Sequence, residues 1–261
     1  MRLPVLLYHH VGPSRPGTFP ELTVSAERFA RHVNWLVRRG YAGICPADWL
    51  AWCRNDRVLP RKPVLLTFDD AYADLATYAL PVLRRNGFGA AVFVVTNHIG
   101  GENVWDRLRG SQPHPLMTGD QIREWAGRGI EFGAHSRTHA DLTALSHGEM
   151  REEIEGSRDD LAGITGRHVG AFAYPFGRTN EAVRDRVRAT FDCAFACKEG
   201  VNTVSADRYG LFRSMVQPYD STIALASRVR LGRYPVDDWR ARLRVRSRVR
   251  SFTAHLWGEQ R

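Results

Sequence analysis

Apolar residues fall along this chain as short continuous runs separated by amphipathic stretches, and the two kinds alternate. Residues 3–7 are apolar and end in Tyr8-His9-His10, the pattern of a buried strand. Ser25-Ala26-Glu27-Arg28 then has the form of a capping box, and Phe29, Val33, Leu36 and Val37 share one helical face up to Gly40. A short strand is predicted over 41–45, and Pro46-Ala47-Asp48 opens a helical turn carrying Trp49, Leu50 and Trp52. Residues 64–68 form the next β-rich run, a helix follows over 73–86 with Gly87 as its stop, and 90–95 is a further buried strand. Beyond a long loop, 96–117, Thr118 caps a helix through Trp125, residues 129–133 are strand-like, and 146–162 place Met150, Ile154, Ser157 and Leu161 at helical spacing. Residues 170–174 and 191–197 are the last strands, with a helix over 181–190 capped by Asn180 between them. Strand and helix in alternation predict an α/β fold with a parallel sheet or barrel.

The length of 261 residues suits one α/β barrel better than two domains. We expect one domain over 1–220 and an Arg-rich helical tail over 221–261. An apolar fraction of 43% supplies a large core, so disorder is not expected. The net charge of +9 comes almost wholly from arginine and favours polyanionic surroundings, while no recognised nucleic-acid module is present and nucleic acid is not expected as a partner. In the tail, arginine recurs at 240, 242, 244, 246, 248 and 250. Strict alternation would also suit a strand, but Asp237 and Asp238 ahead of it favour a basic amphipathic helix. Such a helix would rest on anionic lipid or an acidic partner, or would be solvated with its arginines paired to surface acids. The four cysteines lack C-x-x-C spacing, and Cys193 and Cys197 would share one strand face as packed thiols. No run reaches the length of a spanning helix, and His9-His10 cuts the first apolar run below that of a secretory segment, so a cytoplasmic location is expected.

Candidate chemistry sits just past strand ends. The run 64–68 closes on Asp69-Asp70, which point to opposite faces unless the strand finishes there. Either could instead cap the helix that follows. His135 and His139, four apart after the 129–133 strand, can converge on one ion from a helical turn or from a loop. Two imidazoles and one carboxylate form the ligand set of a catalytic zinc or similar divalent centre with positions left for water.

Thr67-Phe68-Asp69-Asp70 followed by His135-Ser136-x-x-His139 resembles the first two motifs of the polysaccharide deacetylase family, the NodB-homology carbohydrate esterases of family 4. Residues 4–11 resemble that family's opening strand and Phe172-Ala173-Tyr174-Pro175-Phe176-Gly177 its third motif, so the resemblance spans about 3–216 in order. It implies a distorted (β/α) barrel that binds one divalent metal and removes acetyl groups from N-acetylated, less often O-acetylated, sugars of a polysaccharide or glycan. Asp70, His135 and His139 would hold the metal and Asp69 would be the general base. The division is physically sound, because a carboxylate on a dication is a poor base and its uncoordinated neighbour is free to take a proton. Zinc is favoured by the nitrogen-rich ligand set. Tyr174, Pro175 and Phe176 would line the substrate site, with the Phe176 backbone N–H facing the oxyanion. Trp105 would either stack on a pyranose ring or anchor its loop.

Two departures from the family pattern stand out. The motif-three arginine that pairs with the catalytic aspartate is replaced by Ala173, and the late Leu-x-His motif, the source of the leaving-group proton, has no counterpart around 211–216. His9 or His10 is the candidate substitute, with His10 preferred. A sugar-binding module on the same fold, or an amidase acting on a non-sugar C–N bond, are the alternative functions.

Overall fold

The alternation within each apolar run decides the architecture. The computed structural model describes residues 1–14 and 19–235. Its main strands are β1 (Val5–Tyr8), β2 (Pro63–Phe68), β3 (Ala91–Val94), β4 (Glu131–Ala134), β5 (Ala171–Ala173), β6 (Cys193–Phe195) and β7 (Ser214–Met215). They form one curled sheet in the order β6-β5-β4-β3-β2-β1-β7, parallel at every step. The strand expected over 41–45 is the pair Ala42–Gly43 beside Pro63–Val64. Leu211 bridges to Phe195 of β6, and three residues later Ser214 pairs with Leu6 of β1. The segment 211–215 therefore draws the two edges of the sheet together into a distorted (β/α) barrel.

Residues of one parity face the barrel interior, where Leu3, Val5, Leu65, Ala91, Phe93, Ala171, Ala173, Cys193, Phe195 and Leu211 pack together. Residues of the other parity, among them Leu6, Tyr8, Leu66, Phe68, Val92, Phe172 and Tyr174, meet the surrounding helices. Small residues make room inside for the two large rings. A methyl group on Gly133 of β4 would come within 2.6 Å of the Phe93 ring and 2.7 Å of the Ala171 carbonyl.

The helices are α1 (Ala26–Arg38), α2 (Pro46–Cys53), α3 (Leu80–Arg85), α4 (Gly119–Gly127), α5 (His147–Thr165), α6 (Glu181–Thr190) and α7 (Thr222–Leu231). Ser25, Thr118, Ser146 and Asn180 cap α1, α4, α5 and α6 through their side chains, as their positions in the sequence require. The helix expected over 73–86 starts with a wide turn, Leu75–Ala79, in which the Leu80 N–H reaches back to the Leu75 carbonyl. Pro81 has no N–H to continue the tighter ladder, which accounts for the offset.

Helix α7 lies beyond the boundary expected at residue 220 yet belongs to the barrel's own packing. Ala224, Leu225 and Val229 are buried, and the fully buried Arg228 clamps Asp220. The Asp220 carbonyl accepts from His32 and Arg28 of α1. Removing one member of such a buried ion pair costs about 3–5 kcal/mol, because the other charge stays buried without it. The expected basic helix over 239–257 lies outside the described residues. Cys193 is buried inside the barrel, but Cys197 falls past the end of β6 and is exposed, so the two thiols do not share a packed face. Among the described residues no helix is long and apolar enough to cross a membrane.

At the barrel end where β4 begins, Glu131 accepts a hydrogen bond from the Ala47 N–H at the start of α2. Burial pushes its carboxyl up from 4.5 to about 7. The folded protein thus holds the Glu131 proton more tightly than the unfolded chain, so this group lowers stability as pH rises from about 4.5 through about 7, with no further change above. A Glu131→Gln variant should match the wild type in urea midpoint near pH 4 and exceed it at pH 8. Parallel midpoints across that range would contradict the assignment.

Candidate active site

Extending the interior parity by one residue past the strand ends places His9 after β1, Asp69 after β2 and His135 after β4 on the inner side of the barrel mouth. Asp70 would point the opposite way in an extended chain. It does not, because the backbone turns left-handed at Asp70 (φ 70°) and Ala71 (φ 53°). The turn is pinned by the loop after β3, with the Met117 N–H donating to the Ala71 carbonyl and the Ala73 N–H to that of Pro115. Both carboxylates therefore reach one site.

The histidine pair comes from a loop, not a helical turn. Ser136 and His139 are left-handed, the Ser136 hydroxyl accepts the His139 N–H at 2.9 Å, and Glu153 of α5 accepts the N–H groups of Arg137 and Thr138. The resulting geometry is compact. Asp70 Oδ1 lies 3.7 Å from His135 Nε2 and 3.6 Å from His139 Nε2. Bonds of about 2.1 Å in tetrahedral array put ligand atoms about 3.4 Å apart, so these spacings suit one divalent ion with little adjustment. His135 Nδ1 meets the Ala173 carbonyl at 2.7 Å, which orients the ring and turns Nε2 toward the ligand set. Asp70 Oδ1 is buried and has no hydrogen-bond partner. Burial and the neighbouring charges of Asp69 and Asp106 push its carboxyl well above the usual range, and a dication in reach of Oδ1 would restore the anion. The donors present fit such an ion.

Asp69 is held differently. Arg213, from the segment that closes the barrel, grips it with two hydrogen bonds of 2.6 and 2.9 Å. Burial alone would raise the Asp69 carboxyl, but the Arg213 guanidinium, helped by His135, outweighs it and brings the group down to about 2. Arg213 is itself 1% exposed, lies over the Phe93 and Phe195 rings, and donates to the Ala196 carbonyl. It supplies the cation absent at Ala173 from the segment just before β7. Its signal in the sequence was parity, since Leu211 faces inward and residue 213 must follow it.

His9 and His10 part company for the same reason. His9, half-buried, feels the charges of Asp69, Arg213 and His135, and burial lowers it to about 4. His10, the preferred acid from the sequence, faces the other layer and stacks on Tyr72 with ring centroids 3.5 Å apart. Tyr174 is corrected likewise. It is fully buried between sheet and helices, where its hydroxyl donates to the Tyr209 carbonyl, because Ala171 and Ala173 take the inward parity of β5. Pro175 is buried, whereas Phe176 is 43% exposed, left-handed at φ 57°, and sets its ring edge against His139. Trp105 lies nearly parallel to the His139 ring at 4.9 Å, so it walls the site by stacking on an imidazole.

The Bacillus subtilis (strain 168) protein YxkH is 27% identical over 218 residues, covering 83% of this chain and 72% of that protein. The poly-beta-1,6-N-acetyl-D-glucosamine N-deacetylase of Staphylococcus epidermidis is 25% identical over 210 residues, covering 74% of this chain and 68% of the relative. Among solved structures, the Streptococcus pyogenes deacetylase PplD in complex with acetate superposes with a TM-score of 0.75 at 24% identity, over 87% of this chain and 97% of that one. The family model described as polysaccharide deacetylase matches residues 56–190, the span that holds Asp69, Asp70, His135 and His139, and the chain belongs to the polysaccharide deacetylase family.

Proposed function

We propose that this polysaccharide deacetylase is zinc-dependent and releases acetate from N-acetylglucosamine units of a glycan, with Asp70, His135 and His139 as the metal ligands and Asp69 as the base. The observation that carries the proposal is the division of labour between adjacent carboxylates: one faces two imidazoles, the other is clamped by Arg213. The name of the Staphylococcus epidermidis relative supports an N-acetylglucosamine polymer as substrate class. The two nitrogens and one oxygen of the ligand set favour zinc.

When bound, the ion would supply a water of lowered pKa and a Lewis acid for the acetyl oxygen. The chain's own residues do the rest. Asp69, kept ionised by Arg213, takes the water proton. The Phe176 backbone N–H, at its left-handed turn, donates to the oxygen that gains charge. His9, held neutral by burial, passes the proton from Asp69 to the departing nitrogen, accepting on one ring nitrogen and donating from the other. Trp105 and Phe176 flank His139 and fix its ring. Arg213 sets the base and His9 replaces the missing late histidine.

Acetate release from an N-acetylglucosamine oligomer should stop with a chelator and return with zinc; activity that survives complete metal removal would refute the metal-dependent reading. Replacing Arg213 by Met leaves burial to raise Asp69, so the acid limb of the pH–rate profile should move to higher pH and turnover at neutral pH should fall by about 10²–10³. An unmoved acid limb would remove Arg213 from base activation. A His9→Ala variant that retains its metal should lose about 10²-fold or more in kcat, and wild-type turnover would exclude the relay.

A further inference from the structure

A second group of donors lies against the Tyr72 ring. His10 follows β1, Asp74 precedes the wide turn before α3, and His114 comes from the 96–117 loop. One donor atom from each lies within 4.8 Å of the other two. His10 Nδ1 is 3.7 Å from Asp74 Oδ2, and the His10 and His114 ring centroids are 4.0 Å apart. His10 and His114 are 3% and 2% exposed. An ordinary ion pair accounts for His10 and Asp74. His114, a second buried imidazole, is brought to the same point by a separate loop.

We propose that His10, Asp74 and His114 form a second, structural divalent-metal site, independent of the candidate catalytic centre. Two imidazole nitrogens and one carboxylate oxygen make a borderline donor set that suits zinc, cobalt or nickel over calcium or magnesium. The 3.7 Å nitrogen–oxygen spacing is close to the roughly 3.4 Å edge of a tetrahedral site with bonds of about 2.1 Å. The space is kept narrow by Gly12, where an added methyl group would fall 3.5 Å from Asp74 Oδ2 and 3.0 Å from the Tyr78 ring.

The site would clamp the long loop onto the barrel. His114 is tied to Asn103 in both directions, its N–H donating to the Asn103 side chain and its carbonyl accepting the Asn103 N–H. Asn103 in turn donates to the Tyr72 hydroxyl at 3.1 Å. Two residues further along the same loop, Trp105 stacks on His139. A cation held by His114 would therefore fix the segment that walls the first centre.

Stoichiometric zinc titration of the metal-stripped full chain, read with a chromogenic chelator in competition and confirmed by elemental analysis after desalting, decides the matter. The wild type should take up two equivalents. His114→Ala and the near-isosteric Asp74→Asn should each take up one, and His139→Ala should also take up one by losing the other. A wild type whose single equivalent is lost in His139→Ala and kept in Asp74→Asn, or an Asp74→Asn variant with native circular dichroism that still binds two, would overturn the proposal. Failure of the first centre reads out separately, as a wild type with a single equivalent that is kept in His139→Ala and lost in Asp74→Asn.

Discussion

The buried pair between Arg213 and Asp69 joins the closure of the barrel to the chemistry at its mouth. Two charges taken out of water cost several kcal/mol each unless their geometry and remaining hydrogen bonds are good. Here the guanidinium meets the carboxylate with two bonds, gives a third to the Ala196 carbonyl, and rests on two aromatic rings. The segment carrying Arg213 is also the one that bridges β6 to β1. If the sheet edges did not meet there, Asp69 would lose its cation, and burial would push its carboxyl up. The family's motif-three position is then free to be Ala173, whose backbone carbonyl orients His135.

A second constraint is backbone conformation. Of the six described non-glycine residues at positive φ, five are Asp70, Ala71, Ser136, His139 and Phe176. Such conformations cost of order 1–2 kcal/mol each in ordinary residues and persist where surrounding bonds over-determine them. The turn at Asp70 is held by residues 115–117 and the 136–139 loop by Glu153. The strained positions are those where the chain must leave strand parity to bring a donor inward, so the cost is localised at the candidate metal ligands and at the exposed Phe176.

Much of this was legible from the residues. Strand and helix order, the side-chain caps at Ser25, Thr118, Ser146 and Asn180, and the nearness of the Asp69-Asp70 and His135–His139 motifs to strand ends follow from periodicity and local chemistry. Several features did not. Arg213 is 144 residues from its partner in sequence, and no local pattern links them, although inward parity from Leu211 marks it. His9 and His10 are chemically identical neighbours, and only the register of Val5 inside and Leu6 outside separates them. The same rule withdraws Tyr174 from the substrate site. Trp105 sits in a loop whose path is set by tertiary hydrogen bonds, so its stacking partner could not be read from spacing.

The central claim is that one cation sits among Asp70, His135 and His139 while Asp69 stays on Arg213. Crystals grown with zinc and measured on both sides of its absorption edge test this directly. The account predicts an anomalous peak about 2.0–2.2 Å from an Asp70 oxygen and from Nε2 of both histidines, with the Asp69–Arg213 pair intact. A peak ligated by Asp69 in place of Asp70, or none among these three side chains at saturating zinc, would contradict it.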